Sequence, residues 1–309
     1  MDRVLRAKRP RSSGTALHAL LDRAFPYLCL IPSSLVLLGI IGYTMVQTVL
    51  FSFQDLRLGE MRGIFVGLEN YRYMLGERNF FPVIGQTLYF TFGTLTLEFA
   101  AALPLALVLF RPFPGAGLLR GLLLVPFLFA TVVTASVWKW ALNDVAGVVN
   151  WILMDLGVID QKIAWLATHG VAMHVLIFVS AWSRFAVVTL VLVGGLQSIP
   201  GELWESAAVE GASGWQTFRF VTLPLLMPFV LLALALRTTF AMREFDLVWL
   251  ITAGGPAGST ELLSTYTYKW GFTTQDAGLA SALSVVLLIL TVGVTMIYLR
   301  YIERARNPA

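Results

Sequence analysis

Six charged side chains interrupt long apolar stretches of the sequence: Glu98, Arg184, Arg237, Arg243, Glu244 and Asp246. A charge at the centre of a hydrocarbon layer costs about 2.5–3.5 kcal/mol on insertion scales, so such groups face a polar cavity, a partner or one another. Ser180 and Arg184 are four residues apart, the spacing of one helical face, and Ser183 lies between them. Arg237 and Glu244 are seven apart and share a face if one helix carries both, with Ala241 at the intervening turn. Donors and acceptors of both signs suit recognition of a hydroxyl-bearing molecule. The competing reading is pairing between spans, Arg237 with Glu98 or with Glu244, in which case the charges hold the bundle together.

Other chemistry finds little support. The four lysines follow Ala7, Trp138, Gln161 and Tyr268, never glycine, so no phosphate-cradling GxxxxGK[ST] loop exists and the chain hydrolyses no ATP itself. His169 and His174 are five apart, off one helical face, and no Cys or carboxylate completes a metal set, so metal ligands are expected to be absent. Gly211-Ala-Ser-Gly214 matches the GxSG of intramembrane serine proteases, with His174 in the preceding span, but Ser213 falls in a polar loop where no buried base can reach it. The single cysteine, Cys29, forms no intrachain disulfide.

The elements that position these residues follow from composition. Of 309 residues 57% are hydrophobic and only 13% charged, about half the charge of a soluble domain, which excludes disorder, a nucleic-acid module and an ordinary soluble enzyme. Six apolar stretches are each long enough to cross a membrane as a helix: 25–53, 82–109, 119–142, 171–196, 225–251 and 278–301. Continuous runs such as Leu283–Val294 exclude the alternation of barrel strands. Pro32, Pro104, Pro126 and Pro228 are expected to kink these helices without stopping them. The fold class is all-α, a polytopic membrane protein of six transmembrane helices. Residues 1–24 form an N-terminal segment, 25–301 the membrane domain and 302–309 a tail.

The first span is too long for a cleaved signal peptide, and Leu17, Leu20, Leu21 and Phe25 before it have the spacing of a short interfacial helix. Twelve Lys and Arg fall on the side of the termini and six on the other, which predicts both termini in the cytoplasm.

The connection from Gln197 to Leu223 breaks that basic trend. It carries one arginine and three acids, Glu202, Glu205 and Glu210. Ser198 or Pro200 opens a short helix there, Gly211 and Gly214 interrupt it, and Trp215, Phe218 and Phe220 lead to Pro224. The segment Glu205-Ser-Ala-Ala-Val-Glu-Gly-Ala212, followed by Leu223-Pro224 and Pro228, resembles the EAA loop of binding-protein-dependent ABC importer permeases, as does the approach Leu196-Gln-Ser-Ile-Pro200. Gly67-Leu-Glu-Asn-Tyr71, Trp138-Lys-Trp140 with Gly147 and Asn150, Phe245-Asp246 and Thr252-Ala-Gly-Gly-Pro256 resemble further motifs of the carbohydrate importers, in the same order. Two departures are Glu-Ser-Ala in place of Glu-Ala-Ala and Glu210 in place of Asp.

The resemblance implies the ABC importer type I permease fold and the import of a di- or oligosaccharide delivered by an extracytoplasmic solute-binding protein. It implies a coupling loop spanning about 197–224, in which Glu205, Ser206, Ala207, Glu210, Gly211 and Ala212 meet an ABC ATPase dimer. ATP and magnesium then belong to those ATPase subunits, and this chain binds no cofactor. A second, different permease is expected beside it, in the lipid of a bacterial or archaeal inner membrane, with no nucleic acid involved. By distance from the loop, Ser180, Ser183, Arg184, Arg237, Ala241 and Glu244 correspond to the residues that line the sugar site of maltose-type permeases, with Phe185 and Phe240 able to stack on a sugar. Two arginines also suit an anion such as glycerol 3-phosphate. The remote alternatives are a secondary transporter and the protease.

Overall fold

In a computed structural model the described residues are 25, 27, 29–60 and 63–306, with side chains described as far as 301. The chain divides into two units, Met1–Leu50 and Phe51–Ala309. The expected interfacial helix around Leu17–Phe25 and the tail after 306 lie outside the described residues.

About three quarters of the described residues are helical. The first long helix, α1, is Cys29–Phe51. A two-stranded antiparallel hairpin follows, β1 Gln54–Asp55 with β2 Ile64–Phe65, pairing Gln54 with Phe65 and Asp55 with Ile64. Then come α2 Glu69–Gly76, α3 Phe80–Phe110, α4 Ala116–Leu128, α5 Thr131–Ala141, α6 Val148–Asp155 and α7 Val171–Gln197. The remainder comprises α8 Gly201–Val209, α9 Gly214–Met242, α10 Asp246–Ile251, α11 Leu263–Tyr268 and α12 Ala277–Arg306. Helices α1, α3, α7, α9 and α12 are each long and apolar enough to cross a membrane, and α4 with α5 passes the same test only when the two are taken together across an 88° bend.

Two expectations about the spans need correction. The third stretch, 119–142, is not one helix kinked at Pro126: the chain breaks three residues later, where Phe129 and Ala130 are extended and α5 leaves α4 at 88°. The fifth was taken to run to 251, but it ends at Met242 and a turn separates it from α10. The reading of Arg237 and Glu244 as one helical face therefore fails, because Glu244 lies in that turn. Helices run through Pro104 and Pro228 as expected.

The motifs shared with importers hold this architecture locally. Asn70 donates to the carbonyls of Ser52 (3.0 Å) and Gln54 (2.9 Å), and Tyr71 to the Ser52 hydroxyl, which ties α2 to the hairpin. The hairpin in turn accepts, at the Leu56 carbonyl, the N–H groups of Ala277 and Gly278 at the head of α12. Asn150 bridges the Ile163 backbone and the Trp165 indole across a loop.

Packing is most extensive between α3 and α7, followed by α9 with α12 and α10 with α5. Two apolar clusters occupy opposite ends of the bundle. One gathers Phe90, Leu176, Ile177, Leu247 and Leu262; the other gathers Ala102, Leu109, Leu192, Leu196 and Leu226. Between them, at mid-depth, the same helices turn polar: Thr91, Thr94 and Glu98 on α3, Ser180 and Ser183 on α7, Arg237 and Thr238 on α9.

The second cluster depends on a close crossing of α7 and α9. A Cβ at Gly195 would lie 2.6 Å from the Phe229 ring and 2.8 Å from Leu226, whereas one at Gly194 would meet nothing within 4 Å. Gly195→Ala is therefore expected to lower the thermal midpoint of the purified protein, by the equivalent of about 1–3 kcal/mol of overpacking. Gly194→Ala should leave the midpoint unchanged or raise it slightly, and a thermal shift assay on the two variants compares them.

Candidate cargo recess and coupling helix

The polar layer holds two buried ion pairs. Arg237, on α9, meets Glu98 on α3 with two parallel contacts, Nε to Oε2 at 2.9 Å and Nη2 to Oε1 at 2.5 Å. Both side chains are almost wholly removed from solvent. This fork-to-fork geometry satisfies both oxygens of the carboxylate at once and fixes one helix against another. Of the two partners open to Arg237 on sequence grounds, Glu98 is the one it takes.

The second pair joins Arg184 of α7 to Glu244, in the turn after α9, at 3.0 Å. Glu244 is 6% exposed and Arg184 23%. The turn carrying Glu244 is fixed by the Ser264 hydroxyl, which donates to the Glu244 carbonyl, and by the Leu247 N–H, which reaches its carboxylate at 3.4 Å.

Ser183 and Arg184 line a recess of about 140 Å³ at the elbow between α4 and α5, with Phe127, Phe129, Thr131 and Thr134 as further walls. The residues singled out in the sequence thus separate into groups. Ser183 and Arg184 face the recess, and Glu244 backs Arg184. Ser180 is fully buried and its hydroxyl has no partner, while its carbonyl accepts the Ser183 hydroxyl at 2.9 Å. Ala241 is buried and its carbonyl accepts the Glu244 N–H. Arg237 is occupied by Glu98. Phe240 is exposed on α9. Thr131 and Thr134 were not anticipated, because nothing in the sequence marks a break at Phe129–Ala130.

The coupling loop folds much as its residues suggest. Pro200 precedes α8, and Glu202 sits in its first turn, where the helix dipole favours an acid. The helix ends in a Schellman motif: the Gly211 N–H bonds to the Ala208 carbonyl (3.1 Å) and the Ala212 N–H to that of Ala207 (2.9 Å). Gly211 takes φ +76° there, a conformation in which a Cβ is strained. Ser213 then opens α9 with a capping box, its hydroxyl accepting the Gln216 N–H. Ser213 is thus a helix cap in an exposed loop. His174 lies at the far end of α7, roughly 35 Å away by helical rise, and binds Tyr89 and the Gly170 carbonyl.

On α8 the side chains of Glu205, Ser206 and Glu210 are exposed, whereas Ala207 is buried against the body. Trp215 is 70% exposed, so it is not what holds the loop to the body. The anchor is Trp204, whose indole donates to the Thr222 hydroxyl (3.1 Å) and packs on Phe110 with ring centres 5.0 Å apart. Its spacing of three from Ala207 was the available signal. Val209, Trp215 and Phe220 are exposed apolar side chains in the same stretch as the three exposed acids. A cleft of about 860 Å³ opens beside it, lined by Arg111, Phe113, Trp204 and Phe218 among others. Among the described residues no cluster of three His, Cys, Asp or Glu side chains is placed to hold a metal.

The sequence model of the family described as binding-protein-dependent transport system inner membrane component matches residues 96–307. The trehalose/maltose transport system permease protein MalF of Thermococcus litoralis is 37% identical over 236 residues, which cover 76% of this chain and 79% of that protein. The sulfoquinovosyl glycerol transport system permease protein SmoG of Agrobacterium fabrum is 33% identical over 283 residues, 91% of each chain. Among solved structures, a chain of a bacterial ABC transporter involved in import of the acidic polysaccharide alginate superposes with a TM-score of 0.80 at 20% identity, covering 94% of this chain and 99% of that one. The fold is that of type I ABC importer permeases.

The Glu98–Arg237 geometry makes a prediction about assembly. Arg237→Ala strands a carboxylate that is wholly buried and should cost about 3–5 kcal/mol, read as loss of intact protein from detergent extracts. The double replacement Glu98→Leu with Arg237→Met removes both charges and should recover most of the yield, which size-exclusion chromatography of the three proteins measures.

Proposed function

The chain belongs to the family of binding-protein-dependent transport system inner membrane components, and from that membership we propose that it is the permease subunit through which an ATP-driven importer passes a neutral di- or oligosaccharide. It is a multi-pass inner-membrane protein of an ABC importer and a transport component. On our reading it pairs with a second, different permease, takes cargo from an extracytoplasmic solute-binding protein and leaves ATP hydrolysis to an ATPase dimer docked on α8. Both termini lie in the cytoplasm, and the hairpin lies outside.

One observation carries the choice of cargo. Arg184 and Arg237 are each matched by a carboxylate, Glu244 and Glu98, while Arg243 donates to the Thr239 carbonyl and does not line the recess. The Arg184 guanidinium, the one that borders the recess, therefore offers hydrogen-bond donors without net charge. That favours hydroxyls over phosphate and weighs against glycerol 3-phosphate. The sugar-permease relatives support the same class.

The transport cycle follows from connectivity. Helix α8 sits between the ends of α7 and α9 and is bonded to the α9 base through Trp204 and Thr222. A displacement of α8 by closure of the ATPase dimer is passed to both helices as a lever. The levers end, at mid-depth, in Arg184 on α7 and Arg237 on α9, so the recess turns outward to receive cargo and inward after hydrolysis.

Glu205→Lys reverses a charge on the exposed face of α8, and Gly211→Val strains its terminus. Both are expected to abolish coupled transport or release the ATPase, while membrane insertion of the permease continues. Co-purification of the ATPase and ATP hydrolysis stimulated by the binding protein test this; wild-type values in both variants would remove α8 as the docking element. Reporter tags provide a second check: those at residues 2 and 309 should report cytoplasm, and one within 54–79 the outside.

A further inference from the structure

The elbow recess has an asymmetric electrostatic construction. Its cationic wall is Arg184, and its other polar walls are the Thr131, Thr134 and Ser183 hydroxyls. Thr131 begins α5 and so stands at the positive end of that helix's dipole, where the Ala130 carbonyl takes the N–H groups of Val133 and Thr134. The Arg184 Nε is buried without a hydrogen-bond partner, so the guanidinium has donor capacity to spare. These features alone would describe an anion site. The counter-charge is Glu244, which holds Arg184 at 3.0 Å but is not part of the recess wall. A molecule in the recess thus meets the donors directly and the negative charge only from behind them.

We propose that Glu244 sets the charge class of the cargo: paired with Arg184 it makes the elbow recess a site for neutral hydroxyls, and its neutralisation converts the same recess into a carboxylate site. The proposal rests on the importer reading above and adds to it the residue that discriminates neutral from acidic sugars. No rebuilding of the walls is needed, because the hydroxyls of Thr131, Thr134 and Ser183 serve a sugar of either kind. The decisive quantity is the unit charge behind Arg184. At a separation of several ångströms in a medium of intermediate dielectric, removing it changes the affinity for a monoanion by about tenfold or more.

The test uses the intact importer complex, with a thiol placed in the recess as Thr131→Cys on a Cys29→Ser background. Protection of that thiol from alkylation is titrated with maltotriose, a neutral trisaccharide, and with trigalacturonate, an acidic one. With Glu244 present, maltotriose should protect at a concentration at least tenfold below trigalacturonate. In Glu244→Gln the half-protecting concentration of trigalacturonate should fall at least tenfold, while that of maltotriose stays within threefold. Adding Arg184→Gln to that variant should abolish the gain. Arg184→Gln alone leaves Glu244 uncompensated and should weaken trigalacturonate at least tenfold below the parent, so the proposal stays testable if Glu244→Gln assembles poorly. A trigalacturonate-to-maltotriose ratio unchanged within threefold across the variants, or no protection by either sugar in any of them, overturns the proposal. ATP-dependent sugar uptake by the parent complex, measured alongside, isolates the cause: uptake with an unchanged ratio rejects the role of Glu244 alone, and absence of uptake rejects the importer reading beneath it.

Discussion

A guanidinium at mid-depth of an apolar bundle is tolerated only if a carboxylate meets it there, and the bidentate contact between Arg237 and Glu98 is that condition in this protein. It joins α9 to α3 at the level where the two apolar clusters end. The layer it occupies is polar on three helices, and several of its hydroxyls, those of Thr91, Thr94, Ser180 and Thr238, make no hydrogen bond. A bundle assembled for stability alone would fill this layer with aliphatic side chains, since replacing a buried ion pair by well-packed apolar groups is often neutral or stabilising. Retaining charges here is consistent with a layer through which a polar molecule passes.

The two ion pairs divide the work. Arg237–Glu98 is closed off and structural, whereas Arg184–Glu244 is partly open and borders the elbow recess. Both arginines stand on helices that leave the two ends of the same short amphipathic element, α8. The structure therefore places its exposed, acid-bearing helix and its polar layer on common levers. The break between α4 and α5 supplies what a continuous helix cannot, a recess at mid-depth beside the start of α5. Irregular backbone of this kind is tolerated within a membrane only where protein or a cavity surrounds it.

Much of this was legible in the sequence. Continuous apolar runs marked the helices, because lipid leaves the backbone no alternative. The Gly211 turn and the helix from Gly201 were legible because capping chemistry is local. The elbow at Phe129–Ala130 was not: Pro126 is the nearest irregularity, and the bend arises from two extended residues downstream of it, held by α5 packing on α10. The turn after Met242 was hidden for a related reason, since the apolar run continues through Leu247–Leu250 while the helix does not. Hence Glu244 was assigned to the wrong geometry although to the right neighbourhood. That Trp204 rather than Trp215 holds the loop was not legible either, because which of two aromatics faces the body depends on where Phe110 and Thr222 lie, a tertiary fact.

The most direct measurement is accumulation of labelled di- and oligosaccharides by proteoliposomes containing this chain with its partner permease and ATPase, with ATP inside and the binding protein outside. The account predicts accumulation against a gradient that requires both ATP and the binding protein and is unaffected by collapse of ion gradients. Accumulation driven by an ion gradient with this chain alone, in the absence of ATP, would contradict it.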